Sequence, residues 1–324
     1  MKYCSFILFT FLFFSFLYSG NPEKFFEVSD FDPSVFYETS IISDEAKLIY
    51  WKDGKIFYKD IFGKSKWKKL QDFNPDDFFI KVERQGKVNL IPISSIYNFY
   101  FLKNKSLCAF TTGLGTTPNT TVVVVDKKQN KIIFTPVLKE QTDKKTSPGI
   151  FMDRVWFNPS VSEDEKYLVC DGYKNNGVRI FSIFDISKKE LIKEFENCAY
   201  PCIYKNKIYF LKDDTKLKSV FLTVMDLNNM QEKRFEKITD RIIGLKIIND
   251  TVYIITDKNI LSLDLNNSTK FNIVLKFNDY NKGYQIFSVE NTFCGVYKGN
   301  YYLFIVIKKY KNDKYEWKIY AYKI

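Results

Sequence analysis

Histidine is absent from all 324 residues. That excludes Ser-His-Asp and Cys-His nucleophilic machinery. It excludes His-ligated zinc, copper and non-haem iron, and it removes the usual general base near neutral pH. Any chemistry must rest on Asp, Glu, Tyr, Lys or Cys. Arginine is scarce, limited to Arg84, Arg154, Arg179, Arg234 and Arg241. Glycine (13) and proline (9) are few and scattered, so no disordered linker divides the chain. No Cys-x-x-Cys pair occurs, which argues against a zinc ribbon or a thioredoxin-type centre. After the amino terminus, no apolar run is long enough to span a bilayer.

The amino terminus carries the longest apolar run. Met1 and Lys2 precede CSFILFTFLFFSFLY, then the small residues Ser19 and Gly20, then the polar NPEK. This is the layout of a secretory signal. Residues 1–20 are therefore expected to be removed, leaving a domain over residues 21–324. The competing reading is an uncleaved anchor. Cys4 precedes the apolar run and so does not suit a lipoprotein. The expected location is exported, periplasmic or extracellular, with no integral membrane segment after signal removal.

The chain is rich in aromatics, with 32 Phe and 22 Tyr, residues that suit half-buried pleated strands. The net charge is +11, nearly all of the positive charge from Lys. With export, that favours an anionic surface component or another envelope or extracellular protein as partner, and not nucleic acid. A Lys-, Asn-, Ile- and Phe-rich composition is also what an AT-rich coding bias produces.

Five cysteines remain after the signal: Cys108, Cys170, Cys198, Cys202 and Cys294. An odd number cannot all pair within one chain, although export permits disulfides. Cys198 and Cys202 frame CAYPC; extended, four residues span about 13 Å, too far for a bridge without a turn at Tyr200-Pro201. A bridge from Cys170 to the next unit is the other option. Cys108, Cys170 and Cys294 lie in apolar strand patterns, where free thiols behave as small hydrophobes.

A repeat organises the rest. Runs of KLIYW, KSLCAF, KYLVC, KIYFL, TVYII and TFCGVY begin at Lys47, Lys105, Lys166, Lys207, Thr251 and Thr292. Their first apolar residues are Leu48, Leu107, Leu168, Ile208, Val252 and Phe293; the last four are 40, 44 and 41 apart. That is the period of a propeller blade. The first two intervals, 59 and 61, require insertions. Two candidates are DFFIKVERQGKVNLIPI, a hairpin pattern around Gln85-Gly86, and the polar KEQTDKKTSPG from Lys139. A second apolar run follows each copy, and four of these runs carry Asp126, Asp185, Asp226 or Asp264 near the end. Inner strands are expected at IYNFYFL, DRVWFNP, CAYPCIY, RIIGLKII and YQIFSV. The predicted fold is all-β: a single β-propeller of about six four-stranded antiparallel blades, with five or seven as alternatives, in which KFFEV or EWKIYAYKI completes a blade shared by both chain ends. The competing architecture is a β sandwich followed by a second β domain.

FNPSVSEDEKYLVCDGY, from Phe157, resembles the WD40-like repeat of TolB-type six-bladed propellers, whose signature is aromatic-Ser-Pro-Asp-Gly-Lys before an apolar strand. Phe157, Pro159, Asp164 and Lys166 match in order. SIISDEAKLIYW matches at Ser43, Asp44, Lys47, Leu48 and Tyr50. The turn glycine is missing from both copies, where Glu165 and Ala46 stand instead. The resemblance implies a fold and leaves function open.

No catalytic constellation, cofactor motif or metal-ligand set is readable. Sialidase-type Asp turns are missing. Asp153, Asp171 and Asp240 fall near blade ends, where acidic residues commonly form turns. GLGTTPNTT, from Gly113, reads as a loop because it lacks the P-loop Lys-Ser/Thr. Asn119, Asn249, Asn266 and Asn267 fit the glycosylation pattern. Trp51, Trp67, Trp156 and Trp317 are packing residues or sugar platforms, with packing favoured. Three functions remain: a non-catalytic exported propeller that binds a protein or surface component; a carboxylate-dependent propeller enzyme, a lactonase or glycan-cleaving one, with its site at the central channel mouth; or a structural role within a cell-envelope assembly.

Overall fold

The chain begins, within the described residues, with a short strand that is paired with the last strand of the protein. A computed structural model describes residues 25–28, 41–42, 46–52, 55–62, 66–69, 78–93, 96–101, 106–113, 120–140, 152–214, 216–217, 219–277, 286–311 and 314–324. The signal, most of the GLGTTPNTT and KEQTDKKTSPG segments, and Asn119 lie outside them, as does the side chain of Trp51.

The amino-terminal strand is β1 (Phe25–Glu27). Blade 1 follows as β2 (Ile41–Ile42), β3 (Lys47–Lys52), β4 (Lys55–Asp60) and β5 (Lys68–Lys69). A hairpin then intervenes, β6 (Phe79–Arg84) and β7 (Lys87–Pro92). Blade 2 is β8 (Tyr97–Phe101), β9 (Leu107–Gly113), β10 (Thr120–Asp126) and β11 (Lys131–Phe134), and the short β12 (Leu138–Lys139) comes after it. Blade 3 comprises β13 (Arg154–Val161), β14 (Tyr167–Lys174), β15 (Arg179–Asp185) and β16 (Glu190–Glu196). Blade 4 holds β17 (Cys198–Tyr204), β18 (Lys207–Asp214), β19 (Ser219–Asp226) and β20 (Glu232–Ile238). Blade 5 holds β21 (Ile242–Ile248), β22 (Thr251–Thr256), β23 (Asn259–Asp264) and β24 (Asn272–Lys276). The chain ends with β25 (Ile286–Tyr297), β26 (Asn300–Lys311) and β27 (Lys314–Lys323).

Each of blades 1 to 5 is a four-stranded antiparallel meander in sequence order, and the sixth has the order β1-β27-β26-β25. The inner strands are neighbours from blade to blade: β2 with β8, β8 with β13, β13 with β17, β17 with β21, β21 with β25, and β25 with β2. This is a propeller of six blades. Both chain ends meet in blade 6, where Phe25 pairs with Tyr322 and Glu27 with Tyr320, and Lys318 reaches the Glu27 carboxylate at 2.8 Å.

Blade 6 differs from expectation. TFCGVY was read as a second strand after an inner YQIFSV. Instead one twelve-residue strand, β25, runs through both, with an irregularity between Val289 and Asn291. The polar Glu290-Asn291 step is a bulge within the strand, which absorbs an extra residue without reversing the chain. TFCGVY is therefore part of the inner strand, every later run moves inward by one place, and the outer position falls to β1. The spacing of 41 to Phe293 thus compared different strands.

The first expected insertion forms a hairpin, and the residues at the start of the second, Leu138 and Lys139, pair with it. β6 and β7 form a hairpin closed by Gln85 (φ 50) and Gly86 (φ 75), the two left-handed residues of a type I′ turn. β12 adds to β6 in parallel, Leu138 opposite Val82 and Lys139 opposite Glu83. The result is a three-stranded sheet with the order β12-β6-β7, which accounts for the long early intervals without a seventh blade. Ile80, Val82 and Leu138 are buried beneath it in the core shared with blade 2.

The core lies between blades, because a meander presents one apolar face to each neighbour. Even-numbered residues of β14 and β15 turn toward blade 2, where Phe134 and Phe184 meet at 5.3 Å. Odd-numbered ones turn toward blade 4, where Phe181 meets Phe210 at 4.7 Å. Trp156 is buried and lies across Gly172 to donate from Nε1 to Ser182 Oγ at 3.1 Å, two strands away. A Cβ at Gly172 would strike the Val155 carbonyl and crowd the indole.

The turns follow the repeat. Asp126, Asp185, Asp226 and Asp264 each end a third strand and accept backbone N–H groups from the turn that follows, at 2.8–3.0 Å. They are hairpin caps. In the acidic turn, Ser162 Oγ donates to Asp164 at 2.5 Å and accepts from the Tyr167 N–H at 2.9 Å. Glu165 (φ 59) and Ala46 (φ 53) adopt the left-handed conformation that glycine would take in the repeat signature. Glu165 also accepts from Leu107 N (3.0 Å) and from Ser106 Oγ, tying blade 3 to blade 2.

Two outcomes follow for stability. Gly172→Ala forces β13 away from β14 and should cost about 1–3 kcal/mol, read as a lower midpoint in chemical denaturation. Glu165→Ala and Glu165→Gly both lose the link to blade 2, but only glycine relieves the left-handed residue. The glycine variant should be the more stable of the two by about 1 kcal/mol; equal midpoints would contradict the strain at this turn.

Candidate functional site

The end of blade 3 at which β14 turns into β15 carries a cluster built around a buried carboxylate. Its anchor is Asp171, fully buried (0% exposed) in β14. Its Oδ1 accepts the backbone N–H of Tyr200 on β17 at 2.9 Å. Its Oδ2 faces Arg179 Nη2 at 3.5 Å. Asn158 adds a side-chain hydrogen bond. The inner strands make this contact possible. β17 bulges between Ala199 and Cys202 and holds Tyr200 at φ 53, which frees its N–H from the ladder. One blade earlier the same device recurs: β13 bulges between Phe157 and Ser160, Asn158 sits at φ 51, and its N–H is taken by Thr111 Oγ1 of blade 2 at 3.2 Å.

Arg179 opens β15 after the NNG turn and lies between two rings. Its Cζ is 4.4 Å from the Tyr200 centroid and 5.8 Å from that of Tyr173. Tyr173 in turn stacks on Phe157 at 5.6 Å, with 27° between the planes. Phe157, Tyr173, Arg179 and Tyr200 thus form a ladder across blades 3 and 4, with Tyr173 the most open member at 38% exposure. On the opposite face of blade 3, Arg154 bonds Glu194 (2.8 Å) and Asp153 (2.6 Å), and Lys174 bonds Glu194 (3.1 Å) and Glu196 (2.5 Å).

Burial pushes the Asp171 carboxyl above its ordinary range, and Arg179 and the Tyr200 N–H pull it part of the way back. Burial also works against the charge of Arg179, but Asp171, Tyr200 and Tyr173 outweigh it and raise its pKa. The arrangement fixes a guanidinium between aromatic rings. It offers a rigid aromatic and cationic contact surface, with a carboxylate committed to holding it.

The three aspartates singled out in the sequence do not converge. Asp153 pairs with Arg154 and Asp171 with Arg179, on opposite faces of blade 3, and Asp240 pairs with Lys258 (2.8 Å) and Asn259 Nδ2 (3.1 Å) at blade 5. Among the described residues no group of three His, Cys, Asp or Glu could hold a metal ion. Trp156 is core, while Trp67 and Trp317 pack half-buried with Lys59 and Lys308 over their rings. Asn249, Asn266 and Asn267 occupy exposed hairpin turns. All five cysteines are free. Burial pushes the thiols of Cys108, Cys198 and Cys202 up to about 12 and that of Cys170 well above its ordinary value, which leaves them protonated and inert. CAYPC carries an intrastrand bulge that turns the Tyr200 N–H toward Asp171. Sequence reasoning missed Arg179, Tyr173 and Tyr200; the one signal was an arginine, rare in this chain, two residues after the turn glycine Gly177.

No protein-family model and no curated protein matches the chain. Among solved structures it is similar to a chain of a nidogen/laminin complex (7% identity, 84% of this chain and 92% of that one, TM-score 0.47). It is also similar to a putative TolB from Agrobacterium tumefaciens (11%, 88% and 82%, 0.40). A third is the β-propeller domain of the trilobed protease from Pyrococcus furiosus, described as having an open velcro topology (11%, 83% and 78%, 0.40).

The raised Asp171 pKa sets a sign. The folded protein keeps this proton to higher pH than the unfolded chain does, so unfolding releases it and stability falls as pH rises above 3.8 toward the raised value. Asp171→Asn mimics the protonated form. It should be relatively more stable against the wild type at pH 7 than at pH 4, by thermal melts at both; the reverse order would mean that the ionised pair is the favoured state.

Proposed function

We propose that the chain is an exported, non-catalytic binding module that holds another envelope or extracellular protein, or an anionic surface component, on the end of blades 3 and 4. The observation that carries this reading is the Phe157–Tyr173–Arg179–Tyr200 ladder. Tyr and Arg dominate the energetics of protein recognition, and here they are locked in place by Asp171 before any partner arrives, which lowers the cost of ordering on binding. The lysine excess, within a net charge of +11, favours an anionic partner.

Two finer parts belong to the same proposal. Residues 1–20 act as a cleaved signal. The repeat is of the WD40-like TolB type, supported by the Ser162–Asp164 turn and by the left-handed Glu165 and Ala46 where its glycine would stand.

Chemical cross-linking in the exported fraction, together with titration against acidic polysaccharide and anionic vesicles, tests the binding role. Tyr173→Ala should reduce capture about tenfold or more with an unchanged melting temperature, and Tyr173→Phe should restore it. Capture that ignores Tyr173 removes the ladder from the interface. Hydrolysis of a lactone or glycan that is lost in Asp171→Asn would replace the binding reading with an enzymatic one. Mass spectrometry of the exported protein should find Asn21 at its amino terminus.

A further inference from the structure

The three-stranded sheet inserted between blades leaves one edge unpaired among the described residues. Its order is β12-β6-β7, so β7 is the free side. The pairing phase fixes what that side presents. Ile93 N donates to Phe78 O, which makes 78/93 a hydrogen-bonded pair. In an antiparallel ladder such pairs alternate, so Lys87, Asn89 and Ile91 turn their peptide groups to β6. Val88 and Leu90 turn theirs outward. Pro92, with no N–H, falls at the next outward position and costs the ladder nothing.

The same residues are apolar and open. Leu90 is 64% exposed, Val88 55%, and Phe79, on the same face across the register, 43%. Natural edge strands are blunted by bulges, by charges or by proline. β7 has a regular register along its length and its single proline is its last residue. Its inner face is anchored, with Ile80 and Val82 buried in the core, so the edge is held rigidly. The other outer strand of the sheet, β12, meets blade 3, where Asp153 N donates to Lys139 O.

We propose that β7 takes up an extended segment of a partner protein as a fourth strand, and that this segment alternates apolar with acidic residues. Strand addition supplies four main-chain hydrogen bonds at Val88 and Leu90, and alternate side chains of the segment pack beside Val88 and Leu90. Charge selects the occupant. β7 has no acidic residue, and the sheet carries Lys81, Arg84, Lys87 and Lys139 against Glu83 and Glu140. The pairs Glu83–Lys139 and Glu140–Arg84 cancel, which leaves Lys81 and Lys87 as the uncompensated charges of the sheet. A second copy of a chain with net charge +11 brings like charge to this edge, whereas an acidic strand complements it. The inference rests on the binding-module reading but uses a separate surface.

The test uses the full chain and two synthetic ten-residue peptides, one alternating valine with glutamate and one alternating valine with lysine. Fluorescence anisotropy at low salt should show the glutamate peptide binding at least tenfold more tightly. Amide hydrogen exchange should show Val88 and Leu90 becoming protected only when that peptide is present. Leu90→Pro removes an outward N–H without taking a bond from β6, and Val88→Lys with Leu90→Lys charges the edge; either should reduce binding at least tenfold. Equal affinity for both peptides, no binding, or binding indifferent to these variants overturns the proposal. Protection of Val88 and Leu90 without peptide also overturns it: independence of protein concentration assigns the edge to the chain's own residues, and growth with concentration assigns it to a second copy. Loss of cross-linking in Tyr173→Ala with peptide binding intact leaves this proposal standing, and the converse result leaves the ladder standing.

Discussion

Between blades 3 and 4, Phe181, Phe195 and Phe210 meet with ring centroids 4.6–6.1 Å apart, and this face-to-face apolar seal is the interaction on which the other features depend. A four-stranded meander has two apolar faces and can cover neither by itself. Each blade is therefore stable only with a neighbour on both sides. The sequence answers with alternation, which sends even-numbered residues of blade 3 toward blade 2 and odd-numbered ones toward blade 4. Everything polar at the junctions has to be reconciled with that seal.

Asp171 shows how. A carboxylate at the edge of an apolar slab is costly unless its oxygens are occupied. Here the bulge of the next inner strand offers a peptide N–H to Oδ1, and the guanidinium at the start of β15 faces Oδ2 as an ion partner at 3.5 Å rather than a hydrogen-bond donor. The cost of burial is thereby turned to orientation: Tyr200 is held left-handed, Arg179 is held between two rings, and blade 4 is pinned to blade 3. Thr111 repeats the capture one blade earlier with a hydroxyl and no ion pair. Blade 3 is the blade whose latch carries charge, which is why the cluster sits there.

Blades 3 to 5 were readable because their turns are short and their capping aspartates recur at fixed places. Blade 6 was not, because a polar pair inside a strand looks the same as a turn until the hydrogen-bond partner is known; Glu290-Asn291 bulges where Asn249-Asp250 reverses the chain. The two insertions were visible as interruptions of the period, yet their parallel pairing was not, since β12 contributes only Leu138 and Lys139. The candidate site was the least legible. Its four rungs come from three strands of one blade and one of the next, and their proximity depends on register that no local pattern encodes. Of the acidic residues that drew notice in the sequence, Asp171 alone anchors the ladder; Asp153 and Asp240 hold side-chain partners of their own away from it.

Blade 6 is finished by β1, and this places a demand on the order of events during synthesis. Among the described residues the first strand in the chain has the last as its partner. Until β27 emerges, Phe25–Glu27 has no edge to join, and blades 1 to 5 must fold with the sixth position vacant. Pairing across nearly the whole chain is slow, because loop closure must precede any gain from contact. The partly made protein thus exposes the unsealed flanks of its first and last completed blades, the surfaces on which chaperones act and from which aggregation starts. The clasp that joins the two ends also times the moment at which the molecule becomes safe from itself.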